Sequence, residues 1–301
     1  MALDKGGTVY GVGFDTVYMA KHKRVTNREQ LKDLFGSKYV QSYVGDAFSR
    51  AKSDLENAVP VLFSGSPCQI AGLKKYLGKP YENLMTCDIV CHGVPSPEVY
   101  RNYLQWMEKK YSANATQVRF RDKKRSWKCF NMRINFDNGE TYTGNCFDDP
   151  YHVGFLKNQF LQDCCYTCKY ANMDRISDIT MADFWDYFRD KSEPIDTDKG
   201  ISLILSNTTK GEKMLMGAKK YLKLYEKEFS RVQATQPALN KPFEPSKNEA
   251  EFWNDYWTYG FDYVEKKYMS KGNSIEYYMN LYKYGFWGTQ IKKRIDCLFK
   301  M

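Results

Sequence analysis

Residues 61–69 read VLFSGSPCQ, and this stretch decides how the chain around it folds. Residues 61–63 form a short apolar run that is typical of a buried strand, and Pro60 is tolerated there only as a first residue. Ser66 then predicts a helix start as the N-cap, with Pro67 at the first helical position and Gln69 completing a capping box. Cys68 therefore lies in the first turn of a helix, where unpaired backbone N–H groups favour a thiolate.

A second segment repeats this order of strand, cysteine and capped helix. Residues 84–90 predict an apolar strand that leads into Cys91, and Ser96–Pro97 begins another helix. Ligands of open α/β sheets bind in the crevice outside the carboxyl ends of the strands. We therefore expect Cys68 and Cys91 to lie near that crevice.

The first hundred residues alternate between strand and helix patterns. Residues 8–14 predict a glycine-containing strand, residues 17–21 its hairpin partner, and residues 46–57 a helix. Residues 26–29 form a capping box that predicts a helix reaching Leu34. This alternation indicates an α/β fold with a mixed sheet.

After a helix over residues 97–111 the pattern changes to inserted β-hairpins. Strands are predicted at residues 116–121, 128–136 and 140–143, with a hairpin turn at Asp137-Asn138-Gly139. Such hairpins usually form a flap or an added sheet edge.

The hairpin region is basic, with ten Lys and Arg against two acids between residues 101 and 135. Strict alternation places Arg119, Arg121 and Lys123 on one face, with Asp122 on the opposite face. We therefore expect Arg121 and Lys123 to bind an anionic cofactor group or carrier, with Trp127 packed over it. The alternative is a solvated turn, since exposed charge runs are common.

Nine cysteines in a chain without an apolar signal segment favour metal binding or redox chemistry over disulfides. Cys165 and Cys168 form a Cys-x-x-Cys pair, and with Cys68 and Cys91 they complete a tetrahedral zinc or 4Fe-4S ligand set. Cys87 lies within a strand and Cys164 abuts Cys165, so both stay outside the set. Small buried side chains are expected for the remaining three, Cys129, Cys146 and Cys297.

The overall composition, with 43% hydrophobic and 27% charged residues, is that of a globular protein. No apolar run long enough to span a bilayer occurs, and we expect a cytoplasmic location. Neither a Gly-x-Gly-x-x-Gly nor a Walker sequence is present, which leaves a Rossmann-type nicotinamide site and a P-loop unsupported.

Three stretches carry a resemblance to a known family: GSPCQIAGLKKYLGKPYENLMTCDIVCHGVPSPEVYRNYL, FRDKKRSWKCF and CCYTCKYANMDRISDITMADFW. Together with GGTVYGVGF and GSKYVQS, they resemble the coenzyme F420 hydrogenase/dehydrogenase beta-subunit family from about residue 6 to about residue 207. The resemblance implies an oxidoreductase with a 4Fe-4S cluster and FAD or FMN. Such a protein passes electrons between an iron–sulfur chain and a two-electron carrier, either coenzyme F420 or a bacterial substitute.

The resemblance also implies which residues hold these groups. The cluster ligands fall on the four cysteines already selected by spacing. Flavin contacts fall on four places: the glycine-rich first strand, residues 38–42, residues 64–66 and the end of the motif CCYTCKYANMDRISDITMADFW. The residues are Gly11, Lys38, Tyr39, Gln41, Ser42, Ser64, Gly65, Ser66 and Asp183. Many family members carry an N-terminal ferredoxin module that this sequence does not include, so we expect either that the chain is a fragment or that electrons arrive from a separate protein. The expected partners are a ferredoxin-type protein or domain and a soluble hydride carrier.

The C-terminal residues differ in composition from the rest, with fourteen aromatic residues between Phe252 and Trp287. We expect an oxidoreductase domain over residues 1–237 and an aromatic-rich helical extension over residues 238–301. Packing of these helices on the α/β domain is the favoured interpretation. The alternative is a partner or membrane surface, with peripheral membrane contact through the basic helix at residues 290–301.

Two further functions compete with a flavin and iron–sulfur oxidoreductase. A zinc-stabilised structural or interaction protein would use the same four cysteines as a closed site. A nucleic-acid binder would use the basic hairpin, but no familiar nucleic-acid motif supports it, and we expect no nucleic-acid partner.

Overall fold

The computed structural model describes residues 2–124, 127, 130–185 and 200–270. The chain divides into two compact units, each made of three chain segments. The first comprises Met1–His92, Cys168–Phe184 and Ser202–Pro242, and the second comprises Gly93–Thr167, Trp185–Ile201 and Phe243–Met301. The sequence-based boundary after residue 237 divides the chain differently and stays a prediction.

The first unit is built on a six-stranded sheet in the order β2-β1-β3-β4-β8-β9. Its strands are β1 (Thr8–Phe14), β2 (Ala20–Val25), β3 (Val61–Ser64), β4 (Leu84–Ile89), β8 (Ile179–Asp183) and β9 (Ser202–Ser206). The inner strands β1, β3, β4 and β8 run parallel, while β2 and β9 pair antiparallel at the two edges. The predicted mixed α/β fold is confirmed.

The opening stretch folds as its sequence indicates. Strand β3 ends at Ser64, and helix α2 (Pro67–Leu77) begins at Pro67 with the capping box of Ser66 and Gln69. Its apolar face, helix α1 (Ala47–Glu56) and the inner strands enclose a core, and this core includes Tyr10, Ala51, Phe63, Ile70 and Leu73. Burial of these large side chains is the main stabilising term of this unit.

Two local expectations in this unit are wrong. The hairpin partner of β1 is Ala20–Val25 rather than residues 17–21, because residues after β1 form a longer turn held by Asp15. A 3-10 helix over Gln30–Leu34 replaces the predicted longer helix. There Asn27 accepts the N–H of Gln30 at 2.9 Å and the Gln30 side chain accepts the N–H of Thr26 at 3.1 Å, so the cap is shifted by one residue.

The remaining helices of the first unit are α6 (Thr209–Ala218) and α7 (Phe229–Thr235). Thr208 caps α6 by accepting the N–H of Gly211, and the Thr208 hydroxyl donates to Asp178 at 2.8 Å. Asp178 also accepts the N–H and hydroxyl of Thr86, each at 2.8 Å. This buried network fixes the entry to β8 beside β4.

The second unit contains a separate three-stranded antiparallel sheet, formed by β5 (Ala115–Asp122), β6 (Asn131–Phe136) and β7 (Thr141–Asn145). Its helices are α3 (Pro97–Tyr111), α4 (Pro150–Leu156), α5 (Asp163–Tyr166), α8 (Glu249–Tyr259) and α9 (Phe261–Val264). The hairpins therefore do not extend the first sheet, and the expectation of an added sheet edge is wrong. An independent sheet is possible because β5 and β6 contribute Phe120, Met132 and Ile134 to a core of their own.

Aromatic side chains dominate the core of this second unit. Tyr100, Tyr103, Tyr151, Phe160 and Phe252 are fully buried and contact one another at ring-centroid distances between 5.2 and 5.9 Å. The residues of α8 that were expected to pack, which include Phe252 and Tyr256, are buried here, whereas Trp257 is 64% exposed. The predicted helix at residues 290–301 lies outside the described residues.

None of the helices in the described ranges combines the length and the apolar composition that crossing a bilayer requires.

Candidate functional site

A polar network of the first unit lies where β3 ends and α2 begins. The side-chain oxygen of Gln69 accepts the N–H of Ser66 at 3.0 Å. The amide of the same Gln69 donates to the Ser42 hydroxyl at 2.9 Å. One helix-capping side chain thus joins the loop of residues 64–66 to the segment of residues 38–42. These are two of the segments to which the family resemblance assigns flavin contacts.

His22 on β2 completes this network, and the sequence did not single it out. Its Nδ1 lies 3.5 Å from the Ser42 hydroxyl, and its ring stacks on Phe63 with centroids 5.3 Å apart. The Nε2 atom is buried and has no hydrogen-bond partner among the described residues. Burial lowers the pKa of His22 to about 4, which leaves the ring neutral at physiological pH. Correct bounds for β2 would have revealed it, because His22 occupies a buried alternation position between two lysines.

Gly65 is the point at which this network approaches the backbone most closely. A Cβ atom at position 65 would lie 3.1 Å from Gln69 Oε1 and 3.4 Å from His22 Nε2. Because both neighbours are polar atoms of the network, glycine at this position keeps the cradle formed by residues 64–66 open. This glycine cradle and the buried, unpartnered His22 nitrogen fit a site that receives a polar ligand group.

Lys38 is one of the residues to which the family resemblance assigns a flavin contact. In the structure its ammonium donates to the carbonyls of Leu34 and Phe35 at 3.1 and 3.0 Å, and it lies 3.4 Å from the carbonyl of Asp33. It therefore caps the 3-10 helix. Burial, with a smaller contribution from Lys23, lowers the pKa of Lys38 to about 8. A flavin contact at Lys38 stays a prediction. To bind a flavin, the ammonium would have to give up at least one of its hydrogen bonds to these carbonyls.

The other predicted flavin residues of this unit have separate surroundings. Gly11 makes room for a neighbouring side chain, because a Cβ there would lie 3.0 Å from Leu34 Cδ1. Tyr39 is half-buried, and Gln41 is exposed. Asp183 ends β8, and its backbone carbonyl accepts the side-chain amide of Gln236 at 2.6 Å. These contacts also stay predictions.

Three of the four predicted cluster cysteines belong to the first unit. Cys68 is exposed in the first turn of α2, and its sulfur lies 3.1 Å from the Ser66 hydroxyl. Cys91 follows β4 by two residues, and Cys168 begins the loop that leads to β8; both are half-buried. The position of Cys68 after β3 and of Cys91 after β4 agrees with the expected strand–cysteine–helix order.

Cys165 lies in the second unit, on α5. The N–H of Val94 points at its sulfur with a separation of 3.4 Å. Residues 94–96 pair with residues 160–162 through an antiparallel bridge of Pro95 and Leu161. Gly93 has a φ of +126°, and a Cβ there would lie 2.8 Å from Leu161, so this close pairing requires glycine. N–H···S hydrogen bonds of this kind stabilise a thiolate and tune the potential of iron–sulfur centres.

The four predicted cysteines have the thiol ligands that an iron–sulfur cluster requires, but the described residues do not group into a complete ligand set. Both cysteines of the Cys-x-x-Cys pair and both strand-end cysteines are reduced thiols that form no disulfide. Within the described ranges, no three Cys, His, Asp or Glu side chains group as a metal site requires. We therefore assign no step to a cluster, and the four-cysteine set stays a prediction.

The cysteines left outside the set differ from one another. Cys146 is buried as expected, and burial beside Asp88 raises the pKa of Cys87 to about 12. Cys164 is exposed. The predictions for Cys129 and Cys297 fall outside the described residues.

The basic hairpin departs from strict alternation. A bulge between Arg119 and Asp122 inserts one residue into β5, while Arg119 pairs with Arg133 and Asp122 with Asn131 on β6. Asp122 therefore lies on the same face as Arg119, and it accepts a bond from Arg133 at 3.4 Å. The expectation that Asp122 points to the opposite face is wrong.

The predicted anion-binding residues of the hairpin differ in exposure. The Arg121 guanidinium lies 4.6 Å from the centroid of the Phe130 ring, whereas Lys123 is exposed. Trp127 is fully buried and stacks on Trp185 with centroids 5.1 Å apart. Gly200 also lies close to this ring, because a Cβ there would be 2.7 Å from the indole. Binding of an anion by Arg121 and Lys123 stays a prediction.

Known proteins resemble this chain at the level of a family and of a solved structure. The solved structure is described as the xenon-derivatised F420-reducing [NiFe] hydrogenase complex from Methanosarcina barkeri. The alignment has a TM-score of 0.46 and 15% identity, and it covers 88% of this chain and 80% of that chain. No curated protein matches the sequence.

A protein family also matches the sequence. The family is described as the C terminus of the beta subunit of coenzyme F420 hydrogenase/dehydrogenase, and it matches residues 60–231, which is more than half of the chain. The match begins one residue before β3 and includes all four predicted cluster cysteines. The chain therefore belongs to the coenzyme F420 hydrogenase/dehydrogenase beta-subunit family.

Proposed function

We propose that this protein is a flavin-dependent oxidoreductase that exchanges electrons between an iron–sulfur chain and a soluble two-electron carrier. The family match over residues 60–231 carries this proposal. Coenzyme F420 is the carrier that the family description names, and a bacterial substitute is the alternative. A ferredoxin-type protein or domain is the proposed electron partner, and peripheral membrane contact through residues 290–301 is a further proposal.

Residues 64–66 and Ser42 are the proposed flavin contacts at the start of α2. A bound flavin, as FAD or FMN, supplies the step between one-electron and two-electron transfer. The chain supplies a cradle that Gly65 keeps open, and the first turn of an eleven-residue helix, whose positive end favours a phosphate or a reduced ring. Gln69 holds this cradle to Ser42, so both segments present their hydroxyls in a fixed relation.

Neutral His22 keeps the floor of this cradle uncharged. Protonation of His22 would place a positive charge against the Phe63 ring in a buried position. Burial disfavours that charge, and the pKa of His22 is therefore lowered. In this proposal His22 and Phe63 form an uncharged floor beside the loop of residues 64–66. The positive charge for anion binding comes from the start of α2, and from Lys38, Arg121 and Lys123 where they contact the ligand.

The proposed cluster ligands are Cys68, Cys91, Cys165 and Cys168. Anaerobic purification followed by absorption spectroscopy and by iron, zinc and flavin analysis tests the whole proposal. We expect a brown protein that contains iron and binds flavin. A colourless protein with one zinc per chain would contradict it and favour the structural alternative.

Neighbouring cysteines provide a matched pair for this test. Cys165→Ser should reduce the iron content, whereas Cys164→Ser, at the preceding and exposed position, should retain it. Equal iron content in the two variants would remove Cys165 from the ligand set.

A further inference from the structure

Arg175 is a buried and extensively bonded side chain in the part of the first unit that carries predicted cluster cysteines. Its side chain is 5% exposed, and that of its ion-pair partner Asp88 is fully buried. All three guanidinium nitrogens take part, with bonds of 2.9–3.3 Å to Asp88 Oδ2, the Thr180 hydroxyl and the carbonyls of Ile89, Tyr170 and Asn172.

Four of these five partners belong to two chain segments that each carry a predicted ligand. Asp88 and Ile89 end β4 and precede Cys91 by three and two residues. Tyr170 and Asn172 lie in the loop that Cys168 begins. Two residues of extended chain span about 7 Å, so each set of partners fixes the backbone close to its cysteine.

The chemistry of this junction is specific to arginine. A planar guanidinium has five N–H donors in a fixed fork, so it can join a carboxylate and several carbonyls at once. A lysine ammonium has three donors at one point and cannot span both segments. The Thr180 hydroxyl strengthens the arrangement by donating to Asp88 Oδ1 at 2.5 Å.

We propose that Arg175 is a positioning residue that clamps the Cys168 loop to the end of β4, and so sets the spacing of Cys91 and Cys168. This inference rests on the proposed function for its purpose, because a metal cluster tolerates little variation in ligand spacing. Its physical content, the spacing of two thiols in one unit, is independent of any bound metal.

The test uses the full chain in its metal-free form. A short bifunctional thiol reagent is applied, and the yield of the Cys91–Cys168 cross-link is measured by peptide mass spectrometry. Arg24→Gln is the matched control, because Arg24 also forms a bidentate ion pair, with Asp54, in the same unit. Wild type and Arg24→Gln should give similar yields, and Arg175→Gln a yield lower by about fivefold or more.

Two further variants keep the test decisive if Arg175→Gln fails to fold. Arg175→Lys retains the charge but cannot bridge the segments, so it should also lower the yield. Asp88→Asn retains the three carbonyl partners of Arg175 and should have a smaller effect. All variants are compared well below the lowest melting temperature among them.

Anaerobic reconstitution with iron and sulfide gives the second measurement. Iron per chain should decrease in the same order as the cross-link yield. A cross-link yield or an iron content in the Arg175 variants equal to that of Arg24→Gln would overturn the positioning role. If wild type takes up no iron, the proposed cluster fails, and the cross-link result alone decides whether Arg175 clamps the loop.

Discussion

Replacement of Gly65 by alanine perturbs the candidate site at its most crowded point. The added Cβ would lie 3.1 Å from Gln69 Oε1, 3.3 Å from Gln69 Cβ and 3.4 Å from His22 Nε2. The φ angle of Gly65 is not in the left-handed region, so the cost comes from these contacts rather than from the backbone. The easiest relief is a rotation of the Gln69 side chain away from the loop.

That rotation breaks the bond from the Ser66 N–H, which is buried at the start of α2. Loss of a helix cap costs about 0.5–2 kcal/mol, and a buried unpartnered donor costs about 1–3 kcal/mol. Alanine reduces the conformational freedom of the unfolded chain, which offsets roughly 0.4–1 kcal/mol. We therefore expect a net loss of about 1–2 kcal/mol, or a melting temperature lower by about 2–8 °C.

Gly72 in the same helix provides the control with the opposite sign. A Cβ there would meet only the Phe48 ring, at 3.4 and 3.5 Å, which is ordinary van der Waals contact. Alanine is favoured over glycine within a helix by roughly 0.5–1 kcal/mol. Gly72→Ala should therefore be at least as stable as wild type.

Thermal denaturation followed by circular dichroism, together with flavin titration by fluorescence quenching, measures both effects. Gly65→Ala should melt lower and bind flavin more weakly, while Gly72→Ala should do neither. A Gly65→Ala protein as stable as Gly72→Ala would refute the steric reasoning. Lower stability with unchanged flavin affinity would instead remove residues 64–66 from the flavin site.

Three other perturbations test the described interactions. The folded pKa of His22 is about 4, below the ordinary 6.5, so the unfolded chain binds the proton first and stability should fall as the pH drops from about 6.5 to 4. Urea denaturation should show a weaker pH dependence for His22→Leu over that range. The folded pKa of Lys38 is about 8 against an ordinary 10.5, so stability should rise between pH 8 and 10, and Lys38→Met should flatten that rise. Asp149 is fully buried and accepts bonds from the Tyr103 hydroxyl at 2.6 Å and from a second tyrosine at 3.1 Å. Asp149→Asn should cost about 2–3 kcal/mol, whereas Asp148→Asn at the exposed neighbouring position should cost little; equal costs would contradict the assigned role.

Local signals in the sequence predicted the elements that carry the site. Ser66, Pro67 and Gln69 lie within four residues of one another, and their capping chemistry determines where α2 begins. The order of strand, cysteine and helix after β3 and β4 followed from the same kind of short-range pattern. Helix α3 also matches its predicted range, because Pro97 marks its start.

Contacts between distant residues were not predictable in this way. Arg175 bonds to Asp88 across 87 positions of sequence, and Gln69 bonds to Ser42 across 27. Neither contact is recognisable without the fold, because the sheet order places β4 beside β8 and the chain path brings Ser42 to Gln69 of α2. His22 was missed for a related reason, because the turn before β2 is longer than a standard hairpin turn.

The basic hairpin shows how one inserted residue changes an inference from charge. The expectation of a bound anion used two premises: like charges on one strand face repel, and the nearest acid points away. The bulge in β5 removes the second premise, because Asp122 lies on the same face as Arg119 and forms an ion pair with Arg133. Part of the positive charge is therefore compensated within the sheet. An anion would now have to be bound by Arg121 and Lys123, and the Arg121 guanidinium lies over the Phe130 ring. Salt-dependent carrier binding that is lost in Lys123→Ala would restore the anion interpretation, because Lys123 is the exposed member of the pair.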